Sequence, residues 1–127
     1  MTLYTSYFSF VQKIPPKYLI SIAGKSPDGF MGGESRNLAP KYEWWKKWKD
    51  KKLSDEWYVE KYNDTVLSAL NPAEVLQDIG DNKILLCYEN PEKFCHRHLV
   101  AKWLRAYGVT ISELTTQTRN NFIQHFL

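Results

Sequence analysis

Five residues of reactive type lie close together in this chain: Cys87, Glu89, Cys95, His96 and Arg97. Two thiols, a carboxylate, an imidazole and a guanidinium suit nucleophilic, acid–base and anion-binding chemistry. Their setting sharpens that reading. Lys83 to Tyr88 is an apolar run that reads as a buried strand, followed by a turn at Glu89-Asn90-Pro91. A helix then starts near Phe94 or Cys95 and ends at Tyr107, with Gly108 just past it. The strand's carboxyl end and the helix's N-terminus therefore meet. In open α/β sheets ligands bind there, and backbone N–H groups favour anions.

Turning roughly 100° per residue from Cys95, the residues Leu99, Val100, Trp103, Leu104 and Tyr107 form an apolar stripe. The stripe is centred near the direction of His96, with Arg97 and Cys95 at its edges. His98, Lys102 and Arg105 fall on the opposite face. His96 is therefore expected to point toward the sheet and His98 toward solvent. A cysteine at a helix N-terminus beside Arg should carry more thiolate than usual.

Three chemistries can be weighed on spacing. A cysteine phosphatase needs an arginine six positions after its strand-end cysteine. Here that position is Lys93, and the loop contains Pro91 and no glycine, which disfavours it. Zinc could draw on Cys87, Cys95 and His96 or His98. Adjacent Cys-His ligands on a helix point roughly 100° apart and no Cys-x-x-Cys is present, so the signal is weak and no metal or cofactor is expected. A Cys87–His96 nucleophile pair across the strand–helix gap fits geometrically. Plainer readings stand beside these. Cys87 can be a small buried hydrophobe, Glu89–Arg97 a structural ion pair, and His96 a satisfied core histidine.

Other elements must position this segment. Tyr4–Val11 reads as a strand broken by Pro15 and Pro16, and Tyr18–Ala23 as a second, buried strand. A turn at residues 24–29 opens a stretch to Pro40 in which no secondary structure is legible. Lys41–Lys52 reads as a helix with Trp44, Trp45 and Trp48 on one face. Ser54 caps a second helix that has Asp55 and Glu56 in its first turn. Its apolar side is Trp57, Tyr58, Tyr62, Val66 and Leu67. Asn71, Pro72 and Glu74 start a third, which stops at Gly80. Val109–Ile111 is a strand. Residues 115–127 form a last amphipathic helix through Phe122, Ile123 and Phe126.

At 127 residues the chain suits one domain, and 43% apolar with 15% aromatic residues excludes whole-chain disorder. No apolar run is long enough to span a membrane, and the first residues lack a signal-peptide pattern. A cytoplasmic location is the expectation, where a structural disulfide is not the first reading for Cys87 and Cys95. The net charge of +3 is small but uneven. Residues 41–52 carry six lysines against two acids, residues 65–92 one lysine against five acids, and residues 93–105 four basic residues and no acid.

Cys87-Tyr88-Glu89 followed by Cys95-His96-Arg97-His98-Leu99-Val100 resembles the hallmark of the family called domain of unknown function 488. There an apolar strand ends in Cys-x-Glu and the next helix opens with Cys-His-Arg. Leu38-Ala39-Pro40 before a Trp- and Tyr-rich helix, and Lys25-Ser26-Pro27 after an apolar strand, are also similar to it. The resemblance covers roughly residues 18–112. It implies a small, cytoplasmic α/β protein, mostly bacterial or phage, with no generally assigned activity.

The combined expectation is a single compact α/β domain over residues 1–127. It has a mainly parallel sheet of about four strands, helices on both faces, and a polar pocket at the strand ends. The expected function is binding, with processing, of an anionic small molecule or nucleotide-like group. Cys87, Cys95 and His96 are the catalytic candidates, and Arg97, Glu89, Lys25 and Ser26 the ligand-binding ones. Glu89 would orient Arg97 or His96. One alternative is a nucleic-acid-associated module using the Lys/Trp helix at 41–52 and the basic face of His98, Lys102 and Arg105. Another is an interaction protein in which the motif is a staple of the fold. No membrane partner is expected.

Overall fold

The structure, a computed structural model, describes residues 1–90 and 92–126, and for 125 and 126 the backbone alone. Five strands form one parallel sheet: β1 (Thr2–Tyr7), β2 (Leu19–Ser21), β3 (Gly33–Glu34), β4 (Lys83–Cys87) and β5 (Thr110–Glu113), in the order β3-β2-β4-β1-β5. The helices are α1 (Tyr42–Asp50), α2 (Asp55–Thr65), α3 (Pro72–Ile79), α4 (Arg97–Ala106) and α5 (Thr116–Phe126). The expected α/β architecture holds, with five strands in place of about four.

The register explains where polar groups gather. Tyr7 lies opposite Cys87, Thr5 lies between Leu85 and Glu113, and Ser21 lies opposite Leu86. The carboxyl ends of β1, β2, β4 and β5 are therefore nearly level. Side chains alternate between the two faces of each strand. Leu3, Ile22, Leu85 and Ile111 pack against Tyr58 and Tyr62 of α2, Val75, Leu76 and Ile79 of α3, and Val100, Ala101 and Leu104 of α4. Ile84 and Leu86 face the other way, onto Leu19, Val11, Ile14, Leu114 and Phe122 of α5. Both faces are covered, as an all-parallel sheet requires.

Several boundaries differ from expectation. β1 ends at Tyr7, because Phe8–Phe10 forms a 3₁₀ turn that carries the chain off the sheet. The stretch from Gly24 to Pro40 contains β3 and a 3₁₀ turn at Arg36–Leu38. β3 lies tight against β2 because Gly32 has no side chain: a Cβ there would sit 2.6 Å from the Leu19 carbonyl oxygen. α1 is shorter than 41–52, since Lys52 takes a left-handed φ of 52°. The caps of α2 and α3 are as expected, Ser54 accepting from the Trp57 N–H and Asn71 from the Ala73 N–H. Thr115 caps α5 through the Thr118 N–H. Phe122 is buried there, while the Phe126 side chain, Leu127 and Pro91 of the expected turn lie outside the described residues. Among the described residues no helix is long and apolar enough to cross a membrane.

Candidate functional site

α4 begins at Arg97, two residues later than its sequence pattern indicates, and its buried face is Arg97, Val100, Ala101 and Leu104. That is an i, i+3, i+4, i+7 stripe. The stripe is rotated from the expected one, so Tyr107 is exposed and Arg97 points fully inward. Cys95 stands in non-helical backbone ahead of the helix, and His96 is the residue that precedes its first turn.

Arg97 is 0% exposed, and its guanidinium is held on several sides. Nε and Nη2 donate to the two carboxylate oxygens of Glu113 at 3.0 and 2.8 Å. Nη1 donates to the Glu89 carbonyl oxygen and, at 3.1 Å, to the Cys87 sulfur. Thr5 Oγ1 donates to Glu113 Oε1 at 2.7 Å, and the Tyr7 ring lies 5.8 Å from the guanidinium carbon. A two-pronged, charge-assisted pair of this kind fixes orientation as well as charge. The expected role of the Glu89 side chain passes to Glu113. Glu89 is exposed and contributes its backbone carbonyl, because β4 ends at Cys87 and the next residues turn outward.

Cys87 and Cys95 are both buried, and they are joined as a disulfide across eight residues of sequence. A disulfide is not the first reading of the sequence, and here the two sulfurs are bonded to each other. The strand end and the non-helical residue before α4 bring both sulfurs to one point. His96 is also buried, as expected. Its Nε2 donates to the Ile22 carbonyl oxygen at 2.7 Å, its Nδ1 lies 3.8 Å from the Cys95 sulfur, and its ring packs 5.6 Å from that of Tyr62. A carbonyl oxygen only accepts, so Nε2 carries the proton and the Nδ1 lone pair faces the sulfurs. The two sulfurs and the His96 ligand nitrogen all lie within 4.8 Å of one another.

Burial pushes the His96 imidazole down to about 4 from 6.5, with the Arg97 charge adding to the effect and the bond to Ile22 opposing it. The unfolded chain therefore binds this proton more readily than the folded one. The stabilisation from a neutral buried imidazole is complete above about pH 6.5 and is lost as pH falls toward 4, reaching about 3 kcal/mol. Half-buried His98 is shifted downward too, chiefly by burial, and adds to the same trend. Urea midpoints are expected to drop between pH 7 and pH 4, and to drop less in His96→Gln. Equal slopes for the two proteins would contradict a neutral His96 in the core.

The remaining candidates are spread around this cluster. Lys25 is exposed, and its carbonyl accepts from the Tyr88 hydroxyl at 2.5 Å, which ties the 24–29 turn beside the end of β4. Ser26 donates to Glu34 at 2.6 Å. His98, expected toward solvent, is half-buried, and its buried Nε2 has no hydrogen-bond partner among the described residues. In α1, Trp44 donates to Thr65 and Trp48 to the Ser54 carbonyl, and both rings pack edge-on against Tyr58. Tyr42 is exposed and stacks on Trp45, which itself packs against the core.

Sequence reasoning missed Glu113, Thr5, Tyr62 and the Ile22 carbonyl. A signal existed for the first two. Thr5 is two residues after Leu3, and Glu113 two after Ile111, so strand alternation puts them on the inner face. Extending the β5 segment by two residues would have exposed an inward carboxylate looking for a cation.

Residues 24–108 match the family model described as DUF488-N3a: Active DUF488-N3 subclade. No curated protein and no solved structure matches the chain.

Proposed function

Because the chain belongs to the DUF488-N3a family, and most of the matched motif converges on one strand-end cluster, we propose that it binds an anionic, nucleotide-like small molecule and processes it there. Supporting this above all is the 3.1 Å contact from Arg97 Nη1 to the Cys87 sulfur. A guanidinium donating to sulfur favours the thiolate, which is the reactive form. In a cytoplasmic setting the cysteine pair is held reduced. Cys87 is then the nucleophile, with Cys95 beside it, and the Nδ1 lone pair of neutral His96 faces the sulfurs from the same side. Exposed Lys25, beside the end of β4 and next to Ser26, supplies the positive charge that meets the ligand. Arg97 acts on the sulfur, its own charge being matched by Glu113. The family description calls this subclade active, which accords with a chemical role.

A second reading has one observation in its favour. Arg97 is wholly buried and bonded within the protein, as a staple of the fold would be. Alkylation separates the two. The protein is reduced, freed of metal with a chelator, and treated with iodoacetamide across a pH series, with Cys87 modification followed by mass spectrometry. The proposal expects a midpoint below the ordinary thiol value of about 8.5. It also expects at least several-fold slower modification in the presence of adenosine monophosphate or inorganic phosphate. An ordinary or raised midpoint, or no protection by either anion, leaves the staple reading in its place.

A further inference from the structure

We propose that the reduced protein binds one zinc-type divalent ion through the Cys87 and Cys95 thiolates and His96 Nδ1. This inference stands apart from the anion-binding reading. The donor set comes first. Two sulfurs and one imidazole nitrogen, all three residues buried, make a soft site that selects zinc over magnesium, calcium or manganese.

Geometry is the second support. With Zn–S about 2.3 Å and Zn–N about 2.0 Å, ligands of a tetrahedral ion lie about 3.5–3.8 Å apart. The Cys95 sulfur and His96 Nδ1 are already 3.8 Å apart, no pair in the group exceeds 4.8 Å, and the two sulfurs, bonded to each other here, have to separate to ligand spacing on reduction. The Cα atoms of the two cysteines are 7.2 Å apart, beyond the usual disulfide span of about 4.4–6.8 Å. The spacing objection raised by the sequence falls away. It assumed that Cys95 and His96 both sit on a helix, whereas Cys95 precedes α4 in irregular backbone.

The surroundings of the ligands complete the argument. A metal-binding histidine commonly donates its other ring N–H to a carbonyl or carboxylate, which fixes tautomer and orientation. His96 does this toward Ile22 at 2.7 Å. Arg97 donates to the Cys87 sulfur, and Glu113 cancels the guanidinium charge that would otherwise repel an ion. Two thiolates and a neutral imidazole neutralise a divalent cation, which suits a buried position. Among the described residues no fourth His, Cys, Asp or Glu joins the group, so one coordination position is left for water or an exogenous ligand.

Disulfide and metal site are alternative states of the same two sulfurs. A two-electron reductant such as a small dithiol opens the disulfide and is itself oxidised. The two thiols then release two protons as the ion binds. While the ion is held, Cys87 is a ligand and not a free nucleophile, so occupancy decides which chemistry the site offers.

The test is a titration of phosphine-reduced, chelator-treated full-length protein with Co²⁺ and then Zn²⁺ under anaerobic conditions. The expected result is one Co²⁺ per chain, with a sulfur-to-cobalt charge-transfer band and the strong visible bands of tetrahedral cobalt, all bleached by Zn²⁺. Cys95→Ser and His96→Gln should each weaken binding at least tenfold, and Lys102→Gln should not. Oxidised protein should give no charge-transfer band. Absence of the band in reduced wild type overturns the proposal, as does unchanged binding by a folded Cys95→Ser protein. If the variants do not fold, the wild-type cobalt spectrum decides alone. Anion protection is measured on metal-free protein, so either idea can fail without the other.

Discussion

Glu113→Ala is expected to destabilise the protein by about 3 kcal/mol, a large part of a small domain's typical margin. The effect comes from what is left behind. Arg97 is 0% exposed, and removing Glu113 strips it of two of its four hydrogen bonds and, among the described residues, of its carboxylate partner. An unpaired buried guanidinium cannot shed its proton at accessible pH, so it must drag in water or pull the helix start away from the sheet. Thr5 loses its acceptor at the same time. The Glu113 side chain is 26% exposed, so water reaches this end and holds the loss near the lower limit for breaking a buried pair. The opposite deletion, Arg97→Met, is expected to cost less, since the remaining carboxylate can turn to solvent. Arg97→Met with Glu113→Leu should recover most of the loss, because an apolar pair of similar volume avoids desolvating two charges. Chemical denaturation of the four proteins gives the coupling directly. A Glu113→Ala protein within about 0.5 kcal/mol of wild type would mean that the pair contributes nothing to holding Arg97 in place.

How far the sequence reveals this arrangement depends on which physical signal each part uses. Caps are local, so Ser54 and Asn71 are legible from a few residues, and both accept the bonds their types imply. The inward direction of His96 follows from the apolar stripe and is borne out by its burial. The starting point of α4 is not legible to the residue. Helical spacing alone does not tell a first turn from the irregular backbone before it, and centring the apolar face on Leu99, Val100, Trp103, Leu104 and Tyr107 left Arg97 at an edge, whereas the buried face is Arg97, Val100, Ala101 and Leu104. Strand order is less legible still. β1 lies between β4 and β5 although β4 and β5 are consecutive strands in the chain, and no local pattern encodes that insertion. Glu113 reaches Arg97 only because β5 pairs with β1 in the register that sets Thr5 opposite Glu113. A pairing between distant segments decides the ion pair, so reading the Cys-His-Arg segment by itself assigned the partner to nearby Glu89. β3, with two residues, is too short to carry any alternation at all.

Tyr62→Ala is expected to lower stability by about 3–5 kcal/mol and also to alter the titration of His96. Tyr62 is 0% exposed and sits where three parts of the chain meet. Its ring stacks near Tyr58 within α2 and lies 5.6 Å from the His96 ring. Its hydroxyl donates to the Leu38 carbonyl at 2.6 Å, fastening the 3₁₀ turn after β3 to α2. Truncation removes an aromatic ring from a packed core and leaves a buried carbonyl without its donor, two costs that add. Tyr62→Phe keeps the ring and loses only the bond, so it should cost about 1–2 kcal/mol. The two variants differ more sharply in what they do to the imidazole. Burial is the chief cause of the low His96 value of about 4. A cavity beside the ring admits water in Tyr62→Ala and should let the value rise toward 6.5, while Tyr62→Phe keeps the wall intact and should leave it low. Following the His96 ring proton by NMR from pH 3 to pH 8 in the folded variants separates these outcomes. An equally low value in both would show that Tyr62 does not shield the imidazole and that the sheet and the Cys87–Cys95 side dehydrate it without help.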